Sequence, residues 1–364
     1  TGYCFPSALE DIAVLKYAFA ANPDGANAYY YLGSLYYDRF RYKEAAECFK
    51  SCVRKNEKHG KAWRNLSLYY FDKAGKPREA KECMEKALKY KSDDPRLLLE
   101  YQQLLKNINT PIEERLAVYD RFPKLLKERD DCYLDKLTLL SQLGRYEESI
   151  NMAAKRHFHI YEGGEGKLTK QHAWMHVLYG NELVENGETE KAERIYMNGI
   201  NMPKLYGEAK TFFNQEAHIY YFLGKLYQKT SNNKKESEAF EKAAEYKAAV
   251  SEISLFRGLA LKELGRSDKA KAVFNEMLTT AQSLIDNKDM RTYYGVGSPS
   301  PMPFEYNIEK LNLLDGNILK AFALFGEEDY IGAEICIRNA ETLDRYDFRI
   351  YAFNAIKQFY DLGD

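Results

Sequence analysis

A chain of 364 residues with 53 Lys and Arg against 54 Asp and Glu carries no net field to draw it to nucleic acid or to an anionic membrane. It has no run of about 18 apolar residues, which excludes a membrane-spanning helix. Its six cysteines (Cys4, Cys48, Cys52, Cys83, Cys132 and Cys336) are scattered without CxxC spacing, and a chain this long needs no disulfides for its core, so reduced thiols are the expected state.

The charged fraction of 29% and only 10 prolines suit solvent-exposed helices, and the 30 tyrosines are an excess that the elements must explain. The organising signal is internal. Ala28-Tyr-Tyr-Tyr-Leu-Gly-Ser-Leu-Tyr-Tyr37 is echoed by Ile219-Tyr-Tyr-Phe-Leu-Gly-Lys-Leu-Tyr-Gln228, and such self-similarity marks stacked repeats.

With Gly33 at position 8, the first repeat starts at Ala26. Tyr29, Leu32, Tyr36, Ala45, Phe49 and Cys52 then stand at positions 4, 7, 11, 20, 24 and 27. Counting back, Leu15, Ala18 and Pro23 fall at 24, 27 and 32. Residues 1–25 therefore read as the second helix of a repeat whose first helix is missing. Without an initiator methionine, the chain is expected to be a fragment of something longer. The second repeat begins at Gly60 with Trp63, Leu66, Ser67 and Tyr70 in register; after one inserted residue come Gly75, Ala80, Met84 and Ala87. Residues 95–128 keep helical periodicity and Tyr119 but little of the small-residue code. Residues 130–158 fit through Tyr133, Leu137, Gly144 and Tyr146.

Next come 173–206 (Gly180, Leu183, Gly187, Ala192, Tyr196), 217–250 (Tyr220, Leu223, Gly224, Tyr227, Phe240, Ala243) and 251–284 (Gly258, Leu261, Gly265, Ala270, Phe274). Two loops interrupt the array. Glu162-Gly-Gly-Glu-Gly166 suits a flexible turn, and 285–304 is a Pro/Gly loop whose three prolines forbid helix. Within 305–364, Ala321, Tyr330, Ala333 and Ala340 mark a last helix pair, and 345–361 reads as a terminal capping helix.

This pattern resembles the tetratricopeptide repeat (TPR), a helix–turn–helix unit of about 34 residues. Small residues at 8, 20 and 27 let two helices approach, and large residues at 4, 7, 11 and 24 fill the space around them. Gly at 15 ends the first helix in a left-handed conformation. The resemblance implies an all-α fold: a right-handed α–α superhelix of about eight helix pairs plus a terminal helix, with the array over 26–284.

The resemblance also implies a concave groove lined by positions 2, 5, 9 and 12 of the first helices. The first repeat offers Asn27, Tyr30, Ser34 and Tyr37; the second offers Lys61, Arg64, Leu68 and Phe71; the repeat from 217 offers His218, Tyr221, Lys225 and Gln228. Mixed aromatics and cations can clasp a peptide by stacking and charge-assisted bonds. The alternative for Tyr30 and Tyr221 is packing between neighbouring repeats. Chaperone-binding members of the family clamp a C-terminal carboxylate with Lys at 5, Asn at 9 and Asn at 6 of the next repeat. Here Asn65 holds position 6, but Tyr30 and Ser34 replace the first Lys and Asn, so that clamp is not expected.

Other candidate chemistry is weak. His172 and His176 share a helix face at i, i+4, a chelating spacing, yet position 4 belongs to His176 as a packing slot, and no HExxH carboxylate accompanies the pair. His157 and His159 form a second cluster. Cys52 occupies a small-residue core slot, and Cys48 and Cys83 share position 23 of successive repeats. Asp93-Asp94 and Asp130-Asp131 stand where helix N-termini favour carboxylates. GxxxxGK[ST], GxGxxG and GxSxG are absent from the sequence. No catalytic, cofactor-binding or metal residue is expected.

The expected role is a protein-interaction scaffold that binds a peptide or partner domain in the groove, without nucleic acid, membrane or chemistry of its own, and in the cytoplasm. An alternative comes from Tyr293-Tyr-Gly-Val-Gly-Ser-Pro-Ser-Pro-Met-Pro-Phe-Glu305 and the following helix pair. Over roughly residues 290–345 this is similar to a segment of bacterial proteins that join an N-terminal β-rich domain of unknown function to a tetratricopeptide half. That resemblance implies the helical half of a larger carbohydrate-related protein, with its own N-terminal domain as partner.

Overall fold

The computed structural model describes residues 6–159, 164–207, 216–245, 247–287, 303–305 and 307–360, and among them there is no strand. In chain order the helices are α1 (Asp11–Ala21), α2 (Ala26–Asp38), α3 (Tyr42–Lys55), α4 (Gly60–Leu68), α5 (Pro77–Tyr90) and α6 (Pro95–Asn107). Then follow α7 (Ile112–Arg121), α8 (Pro123–Glu128), α9 (Asp130–Gln142), α10 (Tyr146–Ala153), α11 (Lys167–Glu185), α12 (Thr189–Ile200) and α13 (Ala217–Lys229). The last are α14 (Asn233–Glu245), α15 (Ser254–Glu263), α16 (Ser267–Asp286), α17 (Ile308–Gly326), α18 (Tyr330–Leu343) and α19 (Phe348–Phe359).

The chain divides into two compact units. Unit 1 takes its described residues from 1–110, 119–132 and 302–305; unit 2 takes them from 111–118, 133–301 and 306–364. In both, consecutive helices pack as pairs (α2 on α3, α4 on α5, α11 on α12, α13 on α14, α15 on α16, α17 on α18). Four of these pairs close on one steric device. A Cβ built on Gly33 would lie 2.7 Å from the ring of Phe49; on Gly180, 2.2 Å from Tyr196; on Gly224, 2.3 Å from Phe240; on Gly258, 2.2 Å from Phe274. The position-8 glycine therefore makes room for the position-24 aromatic of the second helix. The second repeat substitutes Ser67, whose Oγ donates to the Ala80 carbonyl at 2.8 Å, opposite the buried Met84.

The inserted residue of that repeat has a structural cost and an outlet. After α4 the chain forms a π-turn over Tyr69–Lys73, the way a helix absorbs one extra residue, and then turns at Gly75 with φ +61°. Position 15 is left-handed throughout: Gly75, Gly144, Gly187 and Gly265 occupy it, but so do Phe40 (φ 59°), Asn109 (φ 53°) and Ser231 (φ 56°).

Part of the tyrosine excess is explained by burial with a tethered hydroxyl. Tyr101, Tyr119, Tyr196, Tyr206 and Tyr221 are fully buried. Tyr196 donates to Asn181 Oδ1 at 2.6 Å and Tyr101 to Glu85 at 2.7 Å, so each ring fills core while its polar tip is satisfied. Helix α16 runs to Asp286. Cys4, residues 160–163 of the first glycine loop and 288–302 of the Pro/Gly loop lie outside the described residues.

Candidate functional site

In unit 1, Asn27 and Lys61 are exposed. Tyr30, expected to face the groove, is instead buried, with its ring against Tyr31, Phe49 and His59; Leu68 is buried as well. Burial raises the Tyr30 hydroxyl above its ordinary range. Ser34 is half-buried, and its Oγ donates to the Tyr30 carbonyl at 3.0 Å.

Arg64 is committed within the fold. Its Nε and Nη2 donate to the two oxygens of Glu100 at 2.8 and 2.9 Å, and Nη1 donates to Asn65 Oδ1 at 3.1 Å. Glu100 is 1% exposed and also accepts from Arg96 Nε at 2.9 Å. Burial works against the Arg64 charge, but the bond to Glu100 outweighs it and holds the guanidinium protonated. A buried carboxylate is tolerable only with such partners.

At the other end of these helices, Tyr37 and Phe71 are half-buried. Tyr37 packs edge-on to Tyr42, with centroids 4.9 Å apart. Burial, with the Asp72 and Glu305 carboxylates nearby, holds its hydroxyl well above the ordinary range. Phe71 meets the ring of Phe304 at 5.2 Å. Asp72 Oδ1 accepts the Glu305 N–H at 3.1 Å, and Lys73 pairs with the Glu305 carboxylate.

In unit 2 the corresponding face is filled. Helix α19 packs on α11, α17 and α18. Its Phe348 meets Trp174 at 6.2 Å, Phe353 meets Phe322 and Phe325 at 5.3 and 5.6 Å, and Phe359 meets Phe222 at 5.0 Å. The hydroxyls of Tyr351 and Tyr360 bond those of Tyr146 and Tyr221. At its N-terminus Arg349 donates to Asp315 at 2.7 Å and to Asp347 at 2.8 Å.

Two further groove expectations are corrected here. His218 is 1% exposed, packed against Trp174 and Phe256, and burial depresses it to about 3. Tyr221 is equally buried beneath α19. Only Lys225 and Gln228 of that set stay near the surface, and both are paired with Glu263. With Val184, Glu185, Lys229 and Phe359 they line a recess of about 340 Å³ beside the end of α19.

The histidine pair belongs to the core. His172 bonds the Tyr206 hydroxyl at 3.2 Å and the Asn198 carbonyl at 3.1 Å, and His176 Nδ1 bonds the His172 carbonyl at 2.7 Å. Burial holds His176 down to about 4. Among the described residues no group of three or more His, Cys, Asp or Glu is placed to hold a metal ion. Burial pushes the Cys52 and Cys83 thiols up to about 12, which makes them packing groups. No described helix is long and apolar enough to cross a membrane.

Stacked antiparallel pairs closed by a glycine–aromatic contact define a helical repeat protein. The chain carries tetratricopeptide repeats: models of that repeat match residues 26–59, 60–94, 217–249 and 251–283. Over 112 residues it is 30% identical to the tetratricopeptide repeat-containing protein trd-1 of Caenorhabditis elegans, covering 30% of this chain and 14% of that protein. The chain thus matches about a seventh of that relative's length.

Among solved structures it is similar to YrrB, a TPR protein with an unusual peptide-binding site (15% identity, 65% of this chain, 93% of that one, TM-score 0.36). It is also similar to a chain of Naa15/Naa10 bound to HypK-THB (11% identity, 93% of this chain, 61% of that one, TM-score 0.46). A third is a tetratricopeptide repeat protein from Parabacteroides merdae (15% identity, 69% and 91%, TM-score 0.34).

Proposed function

We propose that the chain is a protein-interaction scaffold without chemistry of its own, and that its partner surface is the inner face of unit 1. One observation carries this reading. The equivalent face of unit 2 is occupied by α19, whereas in unit 1 Asn27 and Lys61 are exposed, and Tyr37 and Phe71, at the end where Phe304–Glu305 sits, are half-buried. That mixture of a cation, an amide and aromatic edges suits an extended peptide, which needs main-chain partners and shallow apolar seats.

The test changes the charge at exposed positions and leaves the core alone. The full chain, immobilised, is offered native extract; captured proteins are identified by mass spectrometry and their affinities measured by titration calorimetry. Asn27→Arg with Lys61→Glu should weaken capture at least about tenfold, the scale of losing one or two interface contacts. Arg78→Glu, on a side chain 90% exposed on α5, should leave capture unchanged. Equal capture by all three proteins would remove the inner face of unit 1 as the partner surface.

A further inference from the structure

The π-turn over Tyr69–Lys73 is the one such turn among the described residues, and inserted turns of this kind recur at functional sites. Its consecutive residues Phe71, Asp72 and Lys73 each hold a different part of one dipeptide of the same chain. The Phe304 ring, 3% exposed, stands edge-on to Phe71. The Glu305 N–H donates to Asp72 Oδ1. The Glu305 carboxylate pairs with Lys73, whose ammonium also lies 4.2 Å from the centre of the Tyr42 ring.

The seat therefore reads an aromatic side chain, a backbone N–H and a negative charge in succession. It is also under-used. Asp72 Oδ2 is buried and accepts no hydrogen bond among the described residues, and a buried acceptor left unpaired is destabilising. A ligand that brings a second donor would satisfy it where Phe304–Glu305 does not.

We propose that this π-turn is a seat for an extended peptide in which an aromatic residue is followed by an acidic one. Phe304–Glu305 is its resident occupant, and a partner bearing the same pair displaces it. The proposal rests on the reading of unit 1 as the partner face and names the chemistry of the partner. A tethered occupant acts at an effective concentration in the millimolar range, so it screens out weak ligands and yields to those that also serve Asp72 Oδ2.

The probe is a fluorescein-labelled peptide of the chain's own residues 300–307, Ser-Pro-Met-Pro-Phe-Glu-Tyr-Asn, read by fluorescence anisotropy against the full chain. Replacing the occupant (Phe304→Ala with Glu305→Ala) should tighten peptide binding at least about tenfold over the native chain. Adding Lys73→Glu should reverse that gain, and a peptide with Lys in place of its Glu should restore it.

Should the double replacement fail to fold by circular dichroism, Glu305→Lys serves alone, because that side chain is 60% exposed. Peptide binding that ignores either the occupant or the sign of residue 73 overturns the proposal, as does an absence of binding to every variant. The two readings fail separately. Lost peptide binding with capture still dependent on Asn27 and Lys61 sinks the seat alone. Peptide binding with capture indifferent to Asn27 and Lys61 sinks the wider face.

Discussion

The ring of Phe240 occupies the space where Gly224 would carry a Cβ, 2.3 Å from that position. Phe240 is itself buried in the core of unit 2, so the ring has nowhere to retreat. Gly224→Ala should then destabilise the unit by about 2 kcal/mol, within the range for overpacking a filled core. Phe240→Leu removes the obstructing ring edge at its own cavity cost. The double variant should lose less than the sum of the single losses, by about 1 kcal/mol of coupling. Urea denaturation followed at Trp174, in a Trp63→Phe background, reads this directly, since the chain has only these two tryptophans. Strict additivity would mean the two residues do not share the space.

Phe40 presents the opposite opportunity. It holds φ 59° at the turn between α2 and α3, a conformation that costs an ordinary L-residue about 1–2 kcal/mol, and the residue is 78% exposed. Phe40→Gly should stabilise unit 1 by about 1 kcal/mol, after a small loss from the edge contact with Tyr42 at 6.2 Å. Gly75, at φ +61° with open space around its Cα, should show the reverse: Gly75→Ala should cost about 1 kcal/mol for conformational reasons alone. Thermal unfolding reported by Trp63 separates the two. A destabilised Phe40→Gly would show that the ring contributes more than the backbone loses.

Helix α19 is built into unit 2. Phe353→Ala should cost about 3–4 kcal/mol, the scale for deleting a buried aromatic ring, because Phe353 is buried between Phe322 and Phe325. Tyr360→Phe should cost about 1 kcal/mol by leaving the buried Tyr221 hydroxyl without its partner. Hydrogen exchange should quicken on α11 and α13 in both variants, more in the first. Unchanged exchange on those helices in Phe353→Ala would mean that α19 is an appendage.

The register of the repeats was readable because it is local. The glycine at 8 and the aromatic at 24 sit a fixed distance apart in the chain, and one hinge brings them together. The single inserted residue of the second repeat was visible too, although its outcome as a π-turn was not. What failed was the rule that positions 2, 5, 9 and 12 face an open groove. It gave Leu68 and His218 to the groove and left Tyr30 and Tyr221 between the groove and packing against neighbouring repeats, and all four are buried. For Tyr221 the cause is α19, whose arrival is a contact across more than a hundred residues that no periodicity encodes. The pairing of Arg64 with Glu100 was hidden for the same reason, since it joins neighbouring repeats and the charge pattern of either helix alone is unremarkable. Phe304 and Glu305 stood at the end of a loop defined by its prolines, and nothing in that composition announces a seat on Phe71–Lys73.

Asp72 makes the π-turn sensitive to pH, and the sign follows from its surroundings. Burial raises its carboxyl from the ordinary 3.8 to about 6, against the opposing effect of the Glu305 N–H. A folded-state value above the unfolded one means that the group's favourable contribution is complete below about pH 4 and is lost as pH rises through 6. Above that, unit 1 carries a half-buried, half-satisfied carboxylate. Asp72→Asn removes the charge and keeps an oxygen to accept the Glu305 N–H. It should therefore stabilise unit 1 at pH 7.5 by about 1 kcal/mol, a figure reduced for the partial solvent screening of this half-exposed group. The gain should shrink through pH 6 and vanish near pH 4. Urea midpoints followed at Trp63 across that range supply the test. A difference that is flat with pH, or largest in acid, would show that Asp72 is not the titrating group.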